Sequence, residues 1–163
     1  MPIVAVWIIN RSGSLIYQRA FQAGHLSTDL TPNDYLVMAS TFQSLHAIST
    51  QLDPKLLSSD QRNKTERRGA VETVLLGRDG LQMHCLQTPT GLKFVLITSG
   101  MVKEVNETLT LSTGNAQNFL GRLWEVYAEC AGRNVWQVPG MPLKSDLFES
   151  QLAKLVLQST KNI

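Results

Sequence analysis

The chain has 163 residues, 43% of them hydrophobic and 7% aromatic, with 11 glycines and 6 prolines, which excludes disordered, collagen-like and low-complexity classes. A chain of this length hides about 70% of the surface its unfolded form exposes, enough for one cored domain. Fifteen Lys and Arg against 13 Asp and Glu leave a net charge of +2, too weak a field to argue for nucleic acid.

The charged fraction says more. It is 17%, where about 25% is usual, and uncharged Ser, Thr, Gln and Asn fill the gap. A surface of that kind is cheap to desolvate and favours a protein partner. Cys85 and Cys130 are too few for a disulfide scaffold, so the expectation is a reduced, cytosolic chain. The apolar run Ile3 to Ile9 is far short of the roughly 20 residues of a membrane helix. It follows no basic n-region, so no secretory signal is expected.

Ile3 to Ile9 is β-branched and apolar on both parities, the pattern of a strand inside a covered sheet. Asn10-Arg11-Ser12-Gly13 turns the chain, and Leu15 to Gln18 completes a hairpin. Gln22 to Leu30 is a short connection. Thr31, Pro32 and Asp34 then start a helix that Asp53-Pro54 ends. Its Tyr35, Met38, Phe42, Leu45 and Leu52 keep a helical rhythm and are expected to face inward.

Ser58 to Arg68 is polar and basic, read as a solvated loop with a phosphate or membrane patch as the alternative. Ala70 to Leu76, Leu81 to Cys85 and Leu92 to Ile97 read as a β-meander, with Asp79-Gly80 as a hairpin turn. In its middle strand Gln82 and His84 alternate with apolar residues, so one face is expected to be wet. Ser99 to Thr113 reads as irregular. A helix from about Asn115 to Ala131 turns Leu120, Leu123, Trp124, Tyr127, Cys130 and Ala131 inward, and Gly132 ends it. Ser145 caps a last helix with Phe148, Leu152, Leu155 and Val156 inward. The order β-β-α-β-β-β-α-α predicts an α+β fold, a five-stranded antiparallel sheet with helices on its faces. The early helix must cross one face.

Catalytic patterns are missing from the sequence. His84 and Cys85 are adjacent on a strand and point to opposite faces, so they form no dyad. Cys85 and Cys130 read as small core residues. His25 and His46 have no spaced partner for a metal, and phosphate-cradling, nucleotide-binding and hydrolase motifs do not occur. The expectation is a chain that is not an enzyme by itself, with no catalytic, cofactor-binding or metal-binding residues and no cofactor. What remains is a stripe on the first helix, Ser40, Ser44, Ala47 and Gln51, of small or uncharged side chains. Either it packs on the chain's own sheet, or it docks a partner.

Val6-Trp7-Ile8-Ile9-Asn10, Gly13 and Leu15-Ile16-Tyr17-Gln18 resemble the opening hairpin of the longin-like small subunits of the TRAPP vesicle-tethering complex. The helix Leu36 to Leu52 is similar to the first helix of the synbindin-type subunit. So are the strand pair Met83 to Val95, the Trp124 to Tyr127 segment and the stretch Met141 to Leu152.

The resemblance implies a longin-like fold and a single domain over 1–163, without the domain some members insert between the second strand and the first helix. It implies a core subunit of TRAPP, beside a second longin-like small subunit and the acylated α-helical subunit. Together these would act as guanine-nucleotide exchange factor for a Rab-type GTPase in ER-to-Golgi transport. Such a subunit is cytoplasmic and sits peripherally at endoplasmic reticulum and cis-Golgi membranes through its complex. It needs no nucleic acid, no transmembrane segment and no nucleophile of its own. The competing reading is a longin-type adaptor or SNARE-regulatory domain. A SNARE would continue into a heptad coil and an anchor, whereas this sequence ends at Ile163.

Overall fold

Ile3–Ile9 forms strand β1, and all seven of its residues are buried. The computed structural model describes residues 3–21, 31–52, 71–76, 81–99, 107–138 and 140–161. In it β1 pairs antiparallel with β2 (Leu15–Ala20) on one side and β5 (Lys93–Ser99) on the other. β4 (Leu81–Gln87) lies beyond β5, and β3 (Val71–Leu76) beyond β4. The sheet order is therefore β2-β1-β5-β4-β3. Between β1 and β2 the Asn10 side-chain oxygen accepts from the Ser14 backbone N–H at 2.8 Å and the Ser12 hydroxyl at 2.7 Å. The turn is held by its own polar groups.

β2 and β3 are opposite edges, so the chain must cross a face between them, as expected. Helix α1 (Pro32–Leu52) lies in that crossover. Its start is a reciprocal cap: the Thr31 N–H and hydroxyl donate to the Asp34 carboxylate at 2.8 and 2.7 Å. These bonds hold the Asp34 carboxyl below its usual range. Under α1 lies a layer of Val4, Trp7, Ile9, Cys85, Val95 and Ile97, with Ala39 of the helix in it.

The opposite face carries α2 (Glu107–Tyr127) and α3 (Asp146–Lys161). Val6, Ile8, Phe94 and Leu96 meet Leu120, Leu123, Phe148 and Leu152 there, the larger of the two cores. Rings join the elements edge to face, Tyr17 on Phe148 at 5.0 Å and Phe94 on Tyr127 at 5.5 Å. Ser145 caps α3, its hydroxyl accepting from the Phe148 N–H at 3.3 Å. Phe148, Leu152 and Leu155 are buried as expected, with Val156 partly so.

Three expectations need correction. Helix α2 begins at Glu107, so residues 107–113 are helical, not irregular. Its Trp124 is 44% exposed, because α2 buries the narrower stripe of Ala116, Phe119, Leu120 and Leu123. The strand carrying Gln82 and His84 has no wet face. Gln82 and His84 are both buried because helices cover both sides of the sheet, and the His84 Nε2 lies 3.2 Å from the Thr98 hydroxyl. The Gln22–Leu30 connection, the basic Ser58–Arg68 stretch and the Asp79-Gly80 turn lie outside the described residues.

Candidate protein-interaction face on the first helix

Helix α1 has Asp34 as the single Asp, Glu, Lys or Arg in its 21 residues. Its inward side is built from a few apolar groups and several polar latches. Ala39 is fully buried, Tyr35 meets Trp7 edge to face at 6.3 Å, and Phe42 packs beside them. Next to these, the buried Lys93 ammonium donates to the Gln43 side-chain oxygen. The Gln43 amide N–H₂ donates to the Arg11 carbonyl at 3.1 Å. The buried His46 places its Nε2 3.1 Å from a Glu72 carboxylate oxygen on β3. Burial draws the Lys93 ammonium below its usual range and pushes the neighbouring Cys85 thiol up to about 12.

The outward side departs from the expectation at Met38 and Leu45. Met38 and Leu45 are exposed, at 36% and 62%, together with Leu36, Val37 and Ile48. Tyr35 and Phe42 face inward as expected, joined there by Ala39 and His46, and the side chain of Leu52 lies outside the described residues. Apolar residues occur all round this helix, so rhythm alone does not separate its inner from its outer side. Polar side chains at Gln43 and His46 win the inward positions because Lys93 and Glu72 wait for them on the sheet.

Ser40 and Ser44 are exposed on the outward side, Ala47 is half-buried, and the side chain of Gln51 lies outside the described residues. The Ser40 hydroxyl donates to the Val37 carbonyl at 2.9 Å, and Ser44 to the Ser40 carbonyl at 3.0 Å. Both donors are satisfied within the helix, so a partner can cover them without stranding a polar group. Completing the burial of each half-exposed Leu, Ile or Val beside them is worth about 1 kcal/mol. The face is chemically suited to a dry protein contact. Leu36, Val37, Leu45 and Ile48 are the residues that sequence reasoning missed, and the near-absence of charge along the helix was the signal for them.

A sequence profile of the Sybindin-like family matches residues 3–159. The chain belongs to the Sybindin-like family. It is 30% identical over 156 residues to trafficking protein particle complex subunit 4 of Dictyostelium discoideum, covering 96% of this chain and 97% of that protein. It is also 30% identical over 129 residues to the proteins of that name from Bos taurus and Homo sapiens. The chain spans about half the length of those mammalian relatives, 48%. Its antiparallel sheet and the three helices among the described residues agree with the longin-like fold that the hairpin and helix motifs implied. Among the described residues no helix is long and apolar enough to cross a membrane.

Proposed function

We propose that this Sybindin-like chain is a core subunit of the trafficking protein particle (TRAPP) complex and works by presenting surface. The observation that carries the reading is the outward face of α1, where large apolar side chains and self-satisfied serines replace charge. In this reading Ser40, Ser44, Ala47 and Gln51, with Leu45 and Ile48 beside them, dock a second longin-like small subunit. The acylated α-helical subunit joins the same core, and the assembly binds a Rab-type GTPase at endoplasmic reticulum and cis-Golgi membranes. Exchange requires only that the assembly prefer the nucleotide-free GTPase, so this chain needs no catalytic group.

The test is reconstitution. The chain alone should leave nucleotide release from a Rab panel at its intrinsic rate, and the chain with the other core subunits should raise it. Acceleration by the single chain, or a stable core that forms without it and exchanges equally well, would refute the reading.

A further inference from the structure

Away from the outward face of α1, the ends of the two hairpins and the connector between α2 and α3 enclose an open groove of about 750 Å³. Its floor is apolar, with Ile16, Leu92 and Ala131 beside the Tyr127 ring. Its rim has neutral amides, Asn10, Asn134 and Gln137, and one cation, Arg11. Among the described residues no Asp or Glu lines it.

Arg11 is held in place. The β4–β5 turn passes beneath it at Gly91, whose φ is +88°, and a Cβ there would stand 3.1 Å from the Arg11 Cγ. A glycine therefore leaves room for the arginine stem. The Arg11 carbonyl is fixed by Gln43 of α1, and Asn10 ties the rest of the turn. Among the described residues no carboxylate lies within ion-pair distance of the guanidinium. The stem is packed and the residue is exposed.

The connector, whose Asn134, Gln137 and Gly140 line the groove, adds an exposed apolar lip beside it. Val135 and Trp136 are 93% and 91% exposed, and Val138 and Met141 are largely exposed too. The lip is anchored at both ends. α2 ends in a wide π turn, Ala128–Gly132, where the Arg133 N–H donates to the Ala128 carbonyl at 3.1 Å. Asn134 accepts from the Trp136 N–H at 3.0 Å, and the Leu143 N–H donates to the Ile16 carbonyl on β2 at 2.9 Å. A large exposed Trp on a tethered loop is the residue type that dominates protein interfaces.

We propose that this groove docks an extended segment of a partner protein that sets an Asp or Glu against Arg11 and a large apolar side chain on the floor, beside the connector that carries Trp136. Charge complementarity selects the occupant. The planar guanidinium fork matches one carboxylate, whereas a phosphate dianion would leave a charge uncompensated among neutral amides. A recessed floor suits a side chain better than a flat lipid surface. The site is separate from the outward face of α1 and does not depend on it.

The experiment is panning of the intact chain against displayed random peptides, followed by synthesis of the enriched sequences and titration at low salt. Enriched peptides should carry an acidic residue near a large apolar one. R11Q, which keeps most of the stem, should weaken them about tenfold, and R11E should shift selection to Lys and Arg. W136S should weaken binding with an unchanged melting temperature. If R11E alters the melt, R11Q alone decides. No enrichment, enrichment without acidic residues, or affinities indifferent to R11Q would overturn the proposal. So would W136-dependent binding to phosphatidylserine vesicles in place of peptides.

Discussion

His46 of α1 and Glu72 of β3 meet with 3.1 Å between Nε2 and Oε2, one side chain buried and the other half-exposed. The pair fastens the far side of α1 to an edge strand, while Gln43 fastens the near side to Lys93 and to the Arg11 turn. α1 is thus held by polar latches as much as by apolar packing. Tyr35 and Phe42 pack inward, while Leu36, Val37, Leu45 and Ile48 are left outside.

Breaking one latch should loosen the helix without unfolding the sheet. Glu72→Ala strands a buried imidazole, and the expected cost is about 1 kcal/mol, because Glu72 is itself half in water. Urea unfolding followed by Trp fluorescence measures this. Amide exchange should rise along α1 and stay unchanged along β1.

The sheet was legible in the sequence, and the orientation of its first helix only in part, at Tyr35 and Phe42. Seven β-branched, alanine or aromatic residues in Ile3–Ile9 read as a strand in the middle of a sheet covered on at least one side, and the structure buries all seven. For α1 the amphipathic rule assumes a charged outer side, and this helix offers none. Two of its inward residues, Gln43 and His46, are polar, and their partners Lys93 and Glu72 are remote in sequence. Gln82 and His84 were misread for a similar reason, since alternation cannot reveal that α2 and α3 cover the second face. The Ser- and Thr-rich first turns of α2 resemble a loop because those residues compete with the backbone.

His84 gives the protein a pH dependence. It is fully buried beside Thr98, and burial lowers its pKa from 6.5 to about 4. The fold therefore keeps the ring neutral where the unfolded chain binds a proton. This contribution is intact above pH about 6.5 and is lost as pH falls toward 4, about 3 kcal/mol in all. Stability from urea melts should fall through that window. His84→Gln should flatten the slope, whatever it does to stability at neutral pH.

The thiols should be slow. Cys85 and Cys130 are free and buried, and burial raises both above the usual thiol value, Cys85 to about 12. Two thiols should titrate in denaturant, and neither should react rapidly with an aromatic disulfide in the native protein at neutral pH. Cys130, the less enclosed, should react first. Fast native labelling of Cys85 would contradict its place beneath α1.

The two sides of α1 predict opposite outcomes for the same kind of substitution. Ala39 is 0% exposed in the layer with Trp7 and Val95, so Ala39→Arg buries an unpaired charge and should prevent folding. Leu45 is 62% exposed, and Leu45→Glu should change the stability of the isolated chain by about 0.5 kcal/mol or less. In the assembly the same carboxylate would be buried against apolar groups, at an expected cost of about 3–5 kcal/mol of association. Ala47→Arg, at a half-buried position, should lose association at a somewhat larger cost to the fold. Thermal melts of each variant alone, set beside co-purification with a second longin-like subunit, separate these effects. If Leu45→Glu joins its partners as well as the parent does, the outward face of α1 is not the contact, and the groove beside Arg11 becomes the surface to test first.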